Sequence, residues 1–219
     1  MTQSGFEAAR ANMVDGQVRI ADVTDPALIA AMRQVPRERF VPAGKASLAY
    51  MGEAIEVAPG RELLDPRVFA KLAQLAAIRP SDKVLVVGGA TGYAAAVLAR
   101  LAASVVLLES DAALSASAAA TLAALGAANV TVATGPLAAG HAAGAPYDAI
   151  FLDGAVPARP DGLLAQLKPG GRLVGIVTDS GIGKAHIFQK APAGVSGRIA
   201  FDASAAPLPG FAAVPSFVF

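Results

Sequence analysis

The sequence predicts an α/β fold: a mostly parallel sheet with helices on both faces, antiparallel strands at its C-terminal edge and a helical N-terminal extension. Three observations predict it. From Lys83 onward, short apolar runs alternate with alanine-rich helical stretches, the pattern of strand–helix–strand units. A glycine cluster, Gly88-Gly89-Ala90-Thr91-Gly92, follows the first of those runs directly. Up to about Pro80 the chain is instead helical and mixed in charge. The change of texture divides the chain into residues 1–80, an elaboration packed on the same domain, and residues 81–219, which carry the sheet.

The bulk numbers narrow the function classes. The 219 residues hold 18 Lys and Arg against 17 Asp and Glu, a net charge of +1, which argues against a polybasic nucleic-acid or membrane-surface protein. Absence of cysteine removes disulfides, thiolate metal sites and thiol nucleophiles together. Mean hydropathy is high, +0.52, yet the apolar segment Val84 to Ala99 is interrupted by three glycines and is shorter than the roughly 20 residues of a spanning helix. The uncharged run from Ala112 to Tyr147 owes its hydropathy to alanine, which suits soluble helices. The opening MTQSGFEAAR has no basic stretch followed by an apolar core, so the expected location is the cytoplasm.

In chain order, Asp25-Pro26 opens a helix as N-cap and first residue, with Leu28, Ile29, Met32 and Val35 at helical spacing and Pro36 ending it. Asp65-Pro66 repeats the signal before Val68, Phe69, Leu72, Leu75 and Ala76. Between them, roughly Val41 to Leu64 reads as a glycine- and proline-punctuated loop, long enough to suggest use. Lys83 to Val87 is a buried strand, followed by the glycine turn and a helix from about Tyr93 to Ala102. Val105 to Leu108 forms a second strand ending at Glu109, and Ser110-Asp111 caps an alanine helix that stops at Gly126. Val130 to Ala133, Ala149 to Leu152 and Leu173 to Val177 supply three more strands, the last after a helix Pro160 to Leu167 and the turn Lys168-Pro169-Gly170-Gly171. His186 to Gln189 and Arg198 to Phe201 pair as an antiparallel edge.

The chemistry concentrates at the glycine turn. Glycines directly after a buried strand let a ligand approach main-chain N–H groups at the following helix start, at the carboxyl edge where open α/β sheets bind their ligands. Glu109 ends the next strand about twenty residues on, placed to accept hydrogen bonds from the ribose hydroxyls of an adenosine. Without a ligand the same residues would make a tight turn and a solvated strand-end acid. Asp153 and Asp179 follow later strands and could suit a hard cation such as Mg²⁺, but no base for a phenol-type acceptor accompanies them, so no metal is expected. His141 and His186 have no evident partner and read as surface or structural.

The chain resembles the protein-L-isoaspartate O-methyltransferase family from about Ala11 to Val177. The specific pieces are N-terminal: Gln17-Val18-Arg19, Thr24-Asp25-Pro26 and Val35-Pro36-Arg37-Glu38-Arg39-Phe40-Val41-Pro42. Ala145-Pro146-Tyr147-Asp148-Ala149-Ile150 and Leu167-Lys168-Pro169-Gly170-Gly171-Arg172-Leu173-Val174 match less specific parts. The resemblance implies a Rossmann-like methyltransferase fold and an enzyme that uses S-adenosylmethionine, with S-adenosylhomocysteine as product, to methylate isoaspartyl carboxylates of damaged proteins or peptides. It implies cofactor binding by Gly88, Gly89, Gly92, Tyr93, Glu109, Pro136 and Leu137, the last two beside the adenine.

Against the family's pattern, Val86 replaces an acid, Ala90 the middle glycine of the turn and Pro136 the acid that meets the adenine amino group. The family's Thr-Ile-Ser acceptor motif is Glu62-Leu63-Leu64, so the catalytic positions hold Glu62 and Leu64. Leu64 donates no hydrogen bond, and Glu62 would repel an anionic substrate unless it points to water. Asp65 reads as a helix cap. Two other readings share the fold: a catalytically impaired paralogue that serves as a binding or scaffold protein, and a methyltransferase for a different small acceptor.

Overall fold

The computed structural model describes residues 2–179 and 181–211. Its centre is a seven-stranded sheet in the order β5-β4-β3-β6-β7-β8-β9, accompanied by a separate hairpin β1-β2. The sheet strands are β3 (Lys83–Val87), β4 (Ser104–Glu109), β5 (Val130–Thr134), β6 (Tyr147–Val156), β7 (Leu167–Asp179), β8 (Ile182–Ala191) and β9 (Gly194–Asp202). From β5 to β7 neighbours are parallel, and β7-β8-β9 form an antiparallel edge. The helices are α1 (Gln3–Met13), α2 (Pro26–Gln34), α3 (Pro66–Ala76), α4 (Tyr93–Leu98), α5 (Ala112–Ala124) and α6 (Asp161–Leu164).

Strand alternation divides the core between the two faces of the sheet. On one face Val84, Val86, Leu107 and Phe151 join side chains of α1 to α5, including Met13, Leu28, Phe69 and Leu122. The N-terminal helices and the sheet therefore share one cluster. The other face carries Leu85, Val87, Leu108, Ile150, Leu152 and Leu173, covered by Leu163 and Leu164 of the four-residue α6, by Leu137 and by Leu208 near the C-terminus. That cover is thin, so Leu208 matters to it.

The helix starts follow their predicted caps. Asp25, Asp65 and Asp111 each accept main-chain N–H groups of the first turn, which satisfies donors that would otherwise lack partners. Five spans differ from the sequence reading. Residues 41–64 are no plain loop: after a 3₁₀ segment (Ala43–Leu48) they form the hairpin β1 (Ile55–Ala58) and β2 (Arg61–Leu63), turned at Gly60 with φ +67°. The α4 helix stops at Leu98, and α6 covers only Asp161–Leu164. β7 begins at Leu167, and its register shifts across Lys168-Pro169-Gly170-Gly171 as the strand takes up the turn. The edge pair is longer than its apolar residues suggested, because main-chain hydrogen bonds between β8 and β9 extend beyond the alternating segment.

Candidate functional site at the sheet's carboxyl edge

After β5 the chain crosses back to build β6 on the other side of β3, so the switch of direction falls between β3 and β6. Open parallel sheets leave a crevice for ligands there. β3 pairs with β6 from Val84↔Ala149 to Val87↔Leu152 and then departs through the glycine turn. β6 runs on through Asp153 and Gly154, leaving an unpaired flank beyond Leu152.

The turn itself is strained at one place. Ala90 adopts φ +45°, a region in which a Cβ is disfavoured. In that conformation its N–H donates to Glu109 Oε2 at 2.9 Å. Gly92, at φ +100°, precedes α4 where an added Cβ would lie 3.3 Å from both Ala118 and Leu122, so its smallness serves α5 packing. An added Cβ at Gly89 would run into Leu107 beneath the turn.

Glu109 is fully buried, and its hydrogen-bonding capacity is filled. The Arg61 guanidinium binds it in a two-pronged fashion, Nη1 to Oε1 at 2.5 Å and Nη2 to Oε2 at 2.7 Å. Main-chain N–H groups of Ser110 and Asp111 donate to Oε1 at 2.7 and 3.1 Å. A carboxylate offers about four lone-pair sites, and Arg61, Ala90, Ser110 and Asp111 together take them. Burial works to raise the Glu109 pKa, but the Arg61 hydrogen bonds and charge, helped by these N–H groups, hold it below the ordinary carboxylate value. Arg61 Nη2 also donates to the Gly88 carbonyl at 2.7 Å.

The C-terminal segment closes the same place from the other side. Ala155 N–H donates to Ala206 O at 2.9 Å, and Leu208 N–H donates to Ala155 O at 2.7 Å, giving a parallel bridge between Ala155 and Pro207. The segment thereby pairs with the flank of β6 that β3 has left. The Leu208 side chain lies on Gly88, where it would collide with any Cβ, and on Gly154, where the gap would be 2.6 Å.

The remaining predicted residues lie as follows. Tyr93 heads α4, but its ring is buried between Phe40 and Phe69, with centroids 5.6 and 5.3 Å away, and under the Arg37 guanidinium at 4.8 Å. Gly135 donates its N–H to the Glu109 main-chain O at 2.9 Å, tying the turn after β5 to the end of β4; Pro136 is exposed and Leu137 lies in the core. Glu62 does not simply point to water: its Oε1 accepts the Ala206 N–H at 2.7 Å. Leu64 is buried in the core, and its carbonyl accepts from Arg37 Nη2 at 2.7 Å. Asp65 caps α3, accepting the Arg67 N–H at 2.7 Å. His141 lies against the Tyr147 hydroxyl, and His186 stacks on Phe188.

Asp153 sits at the end of the β3–β6 pairing, 5% exposed. Burial pushes its pKa up to about 7; Arg61 and Arg37 pull it down, while Glu109 and Glu62 push it further up. Sequence reading missed Arg61 and Leu208. Neither lies in a motif, and the available hint for Arg61 was chemical: a carboxylate buried at a strand end requires a counter-charge.

A family model described as protein-L-isoaspartate(D-aspartate) O-methyltransferase matches residues 9–201. The chain belongs to this family. Protein-L-isoaspartate O-methyltransferase 1 of Rhodopseudomonas palustris strain HaA2 is 42% identical over 171 residues, 78% of this chain and 70% of the relative. The enzyme of that name from Methylorubrum extorquens strain PA1 is 44% identical over 166 residues, 76% and 72% respectively. A solved Plasmodium falciparum structure, a candidate for the same activity in complex with S-adenosyl-L-homocysteine, superposes with TM-score 0.80 over 92% of this chain and 98% of its own, at 17% identity. At that identity the likeness concerns the fold.

The family's methyl donor is S-adenosylmethionine. At the positions the sequence predicts for it, a donor would meet groups that are already partnered. Ribose hydroxyls would need Glu109 oxygens that Arg61 holds, and the path under Gly88 is occupied by Leu208.

Proposed function

We propose that this chain is an isoaspartyl carboxyl methyltransferase acting on damaged proteins or peptides in the cytoplasm. The observation that carries the reading is the family match across residues 9–201, joined by relatives more than 40% identical over three quarters of the chain. Among the described residues no helix is long and apolar enough to cross a membrane, and the lack of cysteine suits a reducing compartment. In this reading the donor's nucleoside is taken up by the Gly88–Gly92 turn, Glu109 and the Pro136-Leu137 turn, with Tyr93 contributing through its main chain. An ionised carboxylate needs no activating base, so the protein's task is to align it and exclude water.

The acceptor side has no hydroxyl at position 64. With Leu64 in the core and Glu62 bound to the Ala206 amide, acceptor contacts must come from main chain and shape. The test is to incubate the protein with labelled S-adenosylmethionine and an isoaspartyl peptide. Base-labile methyl ester is the expected product. Its absence at high protein concentration, from the native chain and from Arg61→Ala alike, would reject the reading.

A further inference from the structure

We propose that the chain carries its own displaceable plug for the nucleoside site, formed by Arg61 of β2 and by Leu208 of the segment 203–208. The inference rests on the reading that this site takes an S-adenosyl nucleoside; it adds that the nucleoside competes with an internal ligand.

Three independent observations converge. The Arg61 guanidinium forms a two-pronged ion pair with a fully buried Glu109 and donates a further bond to Gly88 O. It therefore presents to the acid and the turn the same kind of donors that vicinal hydroxyls would. Second, Leu208 covers Gly88 and Gly154, glycines on both sides of the crevice, and belongs to the apolar cluster of the thinly covered face. Third, the segment is held by main-chain bonds. Ala206 O and Leu208 N–H pair with Ala155, while Ala206 N–H binds Glu62 Oε1 at 2.7 Å. Glu62 is the neighbour of Arg61 on β2, so one short strand holds both halves of the plug.

The pieces also explain why this closure can open. Beyond the Ala203 N–H bond to Gly183 O of β8, the segment adds one isolated bridge rather than a full strand, and β2 has only three residues. The Arg61 charge also acts on Asp153, a second buried carboxylate. Arg61 and Leu208 act in this account as positioning residues that set donor affinity.

Calorimetric titration with S-adenosylhomocysteine tests the proposal on the native chain, Arg61→Ala and Leu208→Ala, each first checked for native near-ultraviolet circular dichroism. Glu109 keeps its three main-chain donors in Arg61→Ala, and Leu208→Ala leaves the ion pair intact, so failure of one variant to fold leaves the other informative. The expected result is binding at least tenfold tighter in Arg61→Ala, with a smaller change in the same direction for Leu208→Ala. Hydrogen exchange on the native chain gives a variant-free reading: saturating ligand should speed exchange of the Ala206 and Leu208 amides. Equal affinities within twofold, or binding that leaves those amides protected, would overturn the plug while leaving the donor reading intact. No binding at millimolar ligand by any folded variant would overturn both.

Discussion

Asp153 shows what one buried carboxyl does to the energetics of this site. Its pKa moves from 3.8 to about 7 on folding, chiefly through burial, with Arg61 and Arg37 opposing the rise and Glu109 and Glu62 adding to it. A raised acid favours the folded state at low pH, when the group is neutral in both states. That advantage disappears as pH climbs from about 4 through 7, because the unfolded chain ionises first. Asp153→Asn should therefore match the native chain near pH 4 and be more stable by about 2–4 kcal/mol at pH 8, measured by urea unfolding across the range. Parallel curves would show that folding leaves the Asp153 pKa where it is in the unfolded chain. Ala90 offers a second residue-level test. Its φ of +45° penalises a Cβ, so Ala90→Gly should gain about 0.5–1 kcal/mol despite greater freedom of the unfolded chain, visible as a higher denaturation midpoint.

At the scale of elements, α3 links the N-terminal layer to the sheet. Phe69 lies edge-on to Phe151 of β6, centroids 5.6 Å apart, and 5.3 Å from Tyr93 of α4. Truncation at that junction opens a cavity among three elements, so Phe69→Ala should lose about 3–5 kcal/mol by chemical denaturation; a loss below about 1 kcal/mol would mean the layer is not held there. Most elements were legible because their signals are local. The caps Asp25, Asp65 and Asp111 and the apolar runs of β3 and β4 name their own positions. The hairpin of β1 and β2 was less legible, although Ile55, Val57 and Pro59-Gly60 carry an alternation and a turn: its strands have four and three residues, too few for a clear period. Likewise α6 shrinks to one turn, since Pro160-Asp161-Gly162 supports a start but little helix beyond it.

For the whole molecule, stability should be distributed from the centre of the sheet outward. β3 has partners on both sides and apolar clusters on both faces, whereas β9 is an edge and residues 203–208 make one bridge. Native-state hydrogen exchange should therefore find the β3, β4 and β6 amides protected longest and those of β9 and residues 203–208 released at lower free energy. Exchange from β9 as slow as from β3 would contradict this order. The same geography limits what the sequence tells of the site. The glycine turn and Glu109 are neighbours along a strand–turn–helix–strand path and declare themselves by spacing. Arg61 reaches Glu109 from 48 positions away and Leu208 reaches Gly88 from 120, so their placement depends on how the finished sheet brings distant segments together.

Because the guanidinium on Glu109 is covalently part of the chain, it behaves as a ligand at a fixed effective concentration that dilution cannot lower. In the proposed reading a donor nucleoside entering from solution must outcompete it at each encounter, and its apparent dissociation constant is the intrinsic one divided by the open fraction. Every 1.4 kcal/mol of closure thus multiplies the donor concentration needed for half-saturation about tenfold, which makes the threshold for engaging the donor a property encoded in residues 61 and 208.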